Sequence, residues 1–578
     1  MNPKPVPILL SARDQLHATI TKYLSTLGAD HPMVVLERPA NREHGDFATN
    51  AALANVKAMN SKPRELATKI VQHIVDKKYD FLERVEIAGP GFINFHLSKK
   101  YFGNMLSTIR KEGEKYGNSI MGKGKTVIVE FSSPNIAKPF TIGHLRSTII
   151  GDAIARMMSF SGYSVLRDNH LGDWGTQFGK QIVAMKKWGD ENAIERSKQP
   201  VRMLVELYVK FHAEAEKDPT LEDEGRAWFA KLEKGDAEAR RLWKKCIDWS
   251  MVQFNAIYKR LGVSFDMMLG ESFFEDKMDE VIADFTQSGI AKESQGALLI
   301  FYPGDKYPPL MLRKKDGATL YATRDFATDK YRIGKWGKDI LIVNEVGAEQ
   351  SLYFHQLYEA EEMVGYCKKA QRKHVAHGMI RFKEGKMSTR KGNTIWLEDV
   401  LAEAVKRAST FNPKTAEEVG LGALKYNDLK RETIKDVLFD WDEVVNLKGN
   451  SGPYLQYTYA RAKSVLKKAG GAKGAKAGSV KNAGSVPTQT MEAGKPGALE
   501  YMLDQFPEIV ARSTEEYAPH HICTYLFALA QEFNTFYNSR KIVGSGEHEA
   551  YRLSLTEATA VVLRNGLKVL GIIAPEKM

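Results

Sequence analysis

The hydrophobic positions of the chain change period at several points, and those changes mark out its elements. V-I-V-E-F at residues 127–131 is β-branched or apolar around one carboxylate, Glu130, as in a buried strand of a parallel sheet. Pro134 and Pro139 bar a helix from the turn that follows. Beyond Gly143 the apolar residues Leu145, Ile149, Ile150, Ile154 and Met157 recur at helical spacing until Gly162. The pattern predicts a strand, a tight loop and a helix, with Gly143 and His144 at the helix mouth. A helix N-terminus presents unpaired N–H groups and the positive end of a dipole, which suits an anion such as phosphate. Lys138 and His144 add donors in the same place. Many folds contain such a unit, so its geometry alone does not single out phosphate.

Upstream, residues 1–115 read as a separate α/β module. Amphipathic helices are predicted over residues 12–27 and 64–77. Between them Gly45 supplies a turn, and Asp46 is placed to N-cap the apolar run 47–53. V-E-I-A-G-P-G-F-I-N-F-H-L (85–97) reads as strand, turn and strand, with Phe92, Asn94 and His96 on one face.

Downstream, a second strand over 164–169 runs into H-L-G-D-W-G-T-Q-F-G. Open parallel sheets bind ligands at the carboxyl ends of their strands. His170, Asp173 and Gln177 are therefore expected to face a pocket, with Trp174 and Phe178 packing beneath it. Residues 181–290 read as a charged helical insertion, and Ile182, Met185, Trp188, Leu204, Leu207 and Tyr208 as its core stripes. Strand-like runs follow at 298–301 and 309–313. D-G-A-T-L-Y-A-T-R-D then delivers Tyr321 and Asp325 to one face, and a second βαβ unit is predicted from strand 339–343, helix 350–364 and strand 374–380. R-F-K-E-G-K-M-S-T-R-K-G sets Lys383, Lys386, Arg390 and Lys391 beside Ser388, Thr389 and two glycines, either as a phosphate-binding loop or as a solvated turn.

From about residue 416 the pattern is helical. Tyr454, Tyr457, Tyr459, Arg461 and Lys463 interleave aromatics with bases, a mixture suited to stacking on unpaired nucleotides and contacting phosphate. The same spacing also fits tyrosines in a helical core. Residues 470–496, rich in Gly, Ala, Ser and Lys, read as a flexible basic loop.

Composition narrows the classes. A chain of 578 residues holds about three or four domains, and 43% hydrophobic with 27% charged residues is ordinary for a globular protein. The net charge of +12 points to a polyanionic partner or to solvated lysine faces. Cys246, Cys367 and Cys523 stand far apart without a C-x-x-C pair, which argues against a thiolate zinc site or a disulfide scaffold and fits a reducing cytosol. No apolar run reaches membrane-spanning length, and residues 1–10 lack a signal layout. A soluble cytoplasmic protein is expected, with no membrane partner and no zinc.

Four blocks carry a resemblance. T-I-G-H (141–144) resembles the H-I-G-H signature of class I aminoacyl-tRNA synthetases, and S-P-N-I-A-K-P-F-x-x-G-H-L-R-S-T is similar to the arginyl-tRNA synthetase version. Thr141 replaces the first histidine of the signature, so a hydroxyl stands where the family has an imidazole. K-M-S-T-R (386–390) resembles the mobile K-M-S-K-S loop, with Thr389 and Arg390 in place of its last two residues; Lys138 resembles the lysine that many arginyl enzymes carry just before the first signature. H-G-D-F-A-T-N-A-A and G-P-G-F-I-N-F are similar to the N-terminal tRNA-contacting domain of the arginyl enzymes. L-K-G-N-S-G-P-Y-L-Q-Y-T-Y-A-R-A and F-N-T-F-Y-N-S-R resemble their helical anticodon-binding domain.

The resemblance spans nearly the whole chain. It implies an α/β fold: a Rossmann-type parallel-sheet catalytic domain (120–415) holding the insertion, an N-terminal α/β add-on (1–115) and a C-terminal all-α domain (416–578). It also implies an arginine–tRNA ligase that activates L-arginine with ATP and transfers it to the 3′-terminal ribose of tRNA(Arg), with tRNA needed even for the first step. Lys138, Thr141, His144, Lys386 and Arg390 would serve the chemistry, the charged ones neutralising phosphorus and pyrophosphate. Glu130, Tyr321 and Asp325 would hold the guanidinium, since a planar permanent cation is best met by carboxylates. Ser133, Asn135 and Gln350 would hold the α-amino end. Gly143, His144, His170, Asp173, Gln177, Met379 and Ser388 would bind ATP, and Asp46, Phe47, Asn50, Tyr454, Tyr457, Arg461 and Tyr537 the tRNA. Magnesium would travel with ATP, no protein metal site is implied, and a monomer is expected. Two alternatives stand beside this reading, a tRNA-binding relative weakened in catalysis and a class I synthetase for another amino acid.

Overall fold

The strand Thr126–Glu130 lies inside a four-stranded parallel sheet. Its neighbours are Leu341–Gly347 on one side and Ser164–Asp168 on the other, with Arg372–His377 at the edge beyond Leu341–Gly347. Val127, Ile128 and Val129 are fully buried, as a strand covered on both faces requires. The register sets Glu130 level with Asn344 and Asp168, which brings polar groups from three strands to one edge. In this computed structural model the chain is described over residues 11–382, 395–471 and 496–578.

The first crossover is the helix Ile142–Phe160, and it packs closely enough on the sheet that a Cβ at Gly151 would lie 2.1 Å from that of Phe131. The helices Gln177–Trp188 to Met278–Gln287 form the insertion. Ile182, Met185 and Leu204 are buried in it, with Trp188 and Leu207 packed against the core of Val183, Phe211 and Leu221.

Strands Ala297–Ile300 and Leu310–Arg313 do not extend the parallel sheet. They join Ala291–Ser294 in a separate three-stranded antiparallel sheet. Connections this short close antiparallel neighbours and cannot make a parallel crossover. The second βαβ unit is Leu341–Gly347, Ser351–Val364 and Arg372–His377. Ile380–Phe382 then pairs in parallel with Val437–Phe439, a strand inside the stretch read as helical. Among the described residues no helix is long and apolar enough to cross a membrane.

Close contacts divide the chain into two units. One comprises Gly117–Ser464, Gln505–Gln531 and Val562–Met578; the other comprises Met1–Tyr116, Val465–Asp504 and Glu532–Val561. The N-terminal sheet of the second unit is antiparallel, in the order Leu36–Glu37, Phe47–Thr49, Phe92–Leu97, Leu82–Ala88. The run 47–53 is therefore not one helix. Phe47 and Thr49 alternate inward as a strand, and the helix Ala51–Met59 starts only after Asn50. Gly45 decides this: at φ 89° it comes so close to the neighbouring strand that a Cβ would stand 2.6 Å from the Phe95 carbonyl oxygen. Asp46 is not a helix cap either; its Oδ2 accepts from the Leu97 amide at 2.6 Å, while its own amide donates to the Phe95 carbonyl at 2.7 Å.

Within the same unit, residues distant in sequence cover the module. The Tyr116 hydroxyl donates to the Leu503 carbonyl at 3.0 Å. Asp504 accepts from Arg38 at 2.7 Å and from the Tyr101 hydroxyl at 2.5 Å, and Arg110 bonds Glu557 at 2.5 Å.

Candidate active site

At the carboxyl edge of the parallel sheet the chain leaves Glu130 through an unusual coil, with Ser132, Ser133 and Ala137 all at positive φ. Side chains from distant segments hold that coil. The Ser132 amide donates to the Ser147 hydroxyl at 2.9 Å, and the Ser132 hydroxyl lies 2.8 Å from those of Thr148 and Tyr258. Ser133 N–H donates to Asn169 at 3.1 Å, and Ala137 N–H to Ser250 at 3.0 Å. Pro134 and Ile136 exchange backbone hydrogen bonds with Gly172, whose missing Cβ would stand 2.3 Å from Asn135 Oδ1. The strain is thus supported from outside, as at other functional coils. It leaves the Asn135 side chain exposed and Lys138 at the wall of a small depression with Gln177, Phe178, Gln181 and Tyr208.

At the helix mouth Gly143 is exposed. The Thr141 amide donates to His144 Nδ1 at 3.0 Å, and the Thr141 hydroxyl lies at the same distance from that nitrogen. A nitrogen that accepts a backbone N–H is unprotonated, so the ring's proton is on Nε2. Burial, helped by His377, pushes the imidazole pKa down to about 4. His144 is therefore a neutral donor here, which corrects the expectation of a charge-neutralising imidazolium.

Asp173 also departs from expectation. Its two carboxylate oxygens accept from the Ser272 amide at 2.8 Å and the Ser272 hydroxyl at 2.7 Å, and it is buried. A Cβ on Gly270 would fall 2.3 Å from that carboxylate. Asp173 pins the end of the insertion to the sheet rather than facing a nucleotide. Trp174 and Phe178 are buried as expected, and Gln177 Nε2 donates to the Trp174 carbonyl at 3.2 Å.

Asp325 and Tyr321 stand one turn apart on the helix Tyr321–Trp336 and share a face. The Tyr353 hydroxyl, from the helix Ser351–Val364, donates to Asp325 Oδ2, and its ring meets Tyr321 edge-on at 4.9 Å. Burial pushes Asp325 up to about 7, with Glu130 and Asp329 adding to the rise and His170 and Tyr353 opposing it. Gln350 is exposed at the N-terminus of the second helix.

Glu130 is not free. Its Oε2 takes Arg332 Nη2 at 2.5 Å, and the same guanidinium reaches Asp168 at 2.6 Å and Asp329 at 2.9 Å. Burial would raise the Glu130 pKa, but the charge and hydrogen bond of Arg332 together with His170 outweigh it and hold the carboxyl below its ordinary value. Arg372 completes the network with Asp329 and, at 2.9 Å, Glu361. Burial, with the Asp329 charge, pushes Glu361 well up toward its neutral form, and the carboxyl of this group left without a guanidinium among the described residues is Asp325, which favours an incoming cation. Arg332 was missed from sequence. The signal was present in the charged stripe Asp325, Asp329, Arg332 at helical spacing i, i+4, i+7. His170, expected at a nucleotide, has both ring nitrogens buried without a hydrogen-bond partner among the described residues, and acts electrostatically on Glu130, Asp168, Asp173, Glu271 and Asp325.

Met379 is exposed, its amide bound to Asp436 at 2.8 Å. Lys386, Ser388 and Arg390 lie outside the described residues, as does most of the basic stretch 470–496. Of the residues expected to meet nucleic acid, Phe47 is 1% exposed and belongs to the module's core, and Asp46 is engaged with Leu97. Asn50 is exposed. On the helix Gly452–Gly471, Tyr454, Tyr457 and Arg461 share one face, with the Arg461 guanidinium 4.8 Å above the Tyr457 ring, whereas Tyr459 is buried. Tyr537 is partly exposed.

Comparison with known proteins gives the same outline. Residues 105–441 match the family model described as tRNA synthetases class I (R), catalytic domain; residues 14–97 match an arginyl tRNA synthetase N-terminal domain, and 455–578 a DALR anticodon binding domain. The chain is 41% identical over 558 residues to an arginine–tRNA ligase of Clostridium perfringens, covering 94% of this chain and 96% of that one. It is 40% identical over 585 residues to one of Streptococcus thermophilus, covering 98% and 100%. Among solved structures, Thermus thermophilus arginyl-tRNA synthetase superposes with a TM-score of 0.78 at 25% identity, covering 98% of this chain and 100% of that chain.

Proposed function

The chain belongs to the class I arginyl-tRNA synthetases, and from that premise we propose that it ligates arginine to tRNA(Arg) with the acidic pocket around Asp325 as its amino-acid site. Enzymes of this class use ATP as a substrate. The observation that carries the reading is the carboxylate of Asp325: it has a hydroxyl partner but, among the described residues, no ion pair, beside acids that Arg332 and Arg372 engage. A substrate guanidinium supplies the missing charge.

Asp325 and Tyr321 take the guanidinium, with Glu130, held ionised by Arg332, behind them. Asn135, Ser133 and Gln350 take the α-amino end. The arginine carboxylate then attacks the α-phosphorus of ATP; a carboxyl–phosphate bond forms, the α–β bridge breaks, and pyrophosphate leaves with the bond's electrons. No protein nucleophile is needed, so catalysis is positioning and charge stabilisation. Lys138, with Lys386 and Arg390, supplies positive charge; the helix mouth at Gly143 and the neutral Nε2–H of His144 supply hydrogen bonds. In the second step a hydroxyl of the terminal ribose attacks the arginyl carbonyl, and AMP departs. Magnesium arrives with ATP, held by phosphate and water. The N-terminal module (1–115) and the helix face of Tyr454, Tyr457 and Arg461 contact tRNA, and the enzyme works as a monomer that forms adenylate only with tRNA bound.

Pyrophosphate exchange with arginine, lysine, glutamine and citrulline, each with and without tRNA, tests this reading. Exchange is expected with arginine and tRNA alone. Exchange with another amino acid, or none at all while tRNA still binds, overturns it.

A further inference from the structure

Glu130, Asp168 and Asp329 surround Arg332 and share its charge. Asp325 lies one turn above Asp329 on the same helix and has a different partner. Its fixed donor is the hydroxyl of Tyr353, from the neighbouring helix, on Oδ2. The Tyr353 ring is itself positioned by edge contacts with Tyr321 at 4.9 Å and Phe354 at 5.5 Å. The charged or titratable groups facing Asp325 are Glu130 at its strand end, Asp329 on its own helix, His170 beyond the strand Ser164–Asp168, and Tyr321 and Tyr353. Two of these are acids, which favour the protonated form of Asp325.

We propose that Tyr353 is a positioning residue that sets specificity: its hydroxyl fixes one oxygen of Asp325 and keeps the carboxylate ionised toward the substrate, so that the preference for a guanidinium over an uncharged ureido group depends on it. The inference rests on the assignment of Asp325 to the amino-acid site. Among the described residues a single donor meets Asp325, on Oδ2, which leaves Oδ1 open to an N–H of the ligand and holds the carboxylate plane in one orientation. An ionised Asp325 accepts from arginine and opposes the carbonyl oxygen of citrulline, whereas a protonated one can donate to that oxygen. Arginine binding therefore requires the ionised form, whose population near neutral pH His170 and the Tyr353 hydroxyl both raise. With the free carboxyl at about 7, the arginine KM rises as pH falls through 7 and levels off above it.

The test is Tyr353→Phe, which keeps the ring and removes the donor. With tRNA present, arginine KM and kcat are measured by pyrophosphate exchange from pH 6 to 9, and citrulline is titrated as a competitive inhibitor. Loss of one hydrogen bond to a charged group moves the inflection up by about one pH unit. KM at pH 7 should then rise about fivefold, converge with wild type within twofold by pH 9, and leave kcat within about twofold. Citrulline should inhibit the variant at least as well as wild type, narrowing the arginine-to-citrulline ratio. Superimposable KM–pH curves overturn the proposal. So does a KM raised equally at every pH, which marks a packing defect, or a variant that no longer folds, since an orienting hydroxyl does not hold a domain together. Asp325→Asn separates this from the site assignment. If that variant keeps wild-type arginine KM at pH 9, the assignment itself is wrong; if it loses arginine binding while Tyr353→Phe behaves as wild type, only the role of Tyr353 fails.

Discussion

Replacing His144 by glutamine tests whether the helix mouth works through a neutral hydrogen bond or through a positive charge. In the structure Nδ1 accepts the Thr141 amide, and the ring's pKa is near 4. Charging such a ring at pH 7 costs about 4 kcal/mol, three pH units at 1.36 kcal/mol each. ATP would have to supply all of that before the imidazolium became useful. A neutral donor needs none of it. Glutamine keeps an N–H of similar reach without a titrating ring, so His144→Gln should retain far more activity than His144→Ala. Losing a donor aimed at developing negative charge typically lowers kcat by 10²–10³, about 3–4 kcal/mol. We therefore expect the alanine variant to fall in that range and the glutamine variant to lose about tenfold or less. The assay is single-turnover adenylate formation at saturating ATP and arginine, from pH 5.5 to 8.5. Nitrogen NMR of labelled histidine should show Nδ1 unprotonated across that range, with or without a non-hydrolysable ATP analogue. An imidazolium signal in the nucleotide complex at pH 7, or an alkaline limb near pH 7 present in wild type and absent from His144→Gln, would refute the argument.

Three further outcomes are expected. Lys386→Ala with Arg390→Ala should slow adenylate formation by about 10² or more while moving Tm little, because charge on a loop serves the transition state rather than the core; a large fall in Tm with normal turnover would show the residues to be structural. Gly45→Ala should destabilise the N-terminal module by about 1–3 kcal/mol, since alanine is strained at φ 89° and its methyl would clash with the Phe95 carbonyl; an unchanged urea midpoint contradicts it. A chain starting at Gly117 should melt several degrees lower than the whole protein as well as binding tRNA more weakly at low salt, because it loses the donors to Leu503, Asp504 and Glu557; equal melting would contradict it.

What the sequence disclosed follows from how local each signal is. The strand–coil–helix around Glu130 and His144 was legible because a continuous apolar run, a helical period, prolines and one glycine specify it within about thirty residues. Tyr321 and Asp325 were legible as a pair sharing one face. Asp173 was misread because its partner, Ser272, lies 99 residues away and no periodicity links them. Phe47 was misread for a related reason: an apolar run beside alanines favours a helix locally, and only pairing with the strand Phe92–Leu97 extends it. The charge state of His144 was hidden because it depends on burial and on which ring nitrogen faces the Thr141 amide. Arg332 was visible as part of a stripe, but a charged stripe reads as solvated surface until the sheet beneath it is known.

The bonds that cover the N-terminal module also set a timetable. Arg38 and Asp504 are separated by 466 residues, Arg110 and Glu557 by 447, and Tyr101 and Asp504 by 403. A ribosome adding about 5–20 residues per second needs roughly 20–90 s to cross such a span. The first part of the protein to emerge must therefore wait, with the hydroxyl of Tyr101 and the guanidiniums of Arg38 and Arg110 lacking their later partners, until the tail has been made. A messenger that pauses late in its reading prolongs that wait, and a nascent chain cut short before residue 504 never ends it.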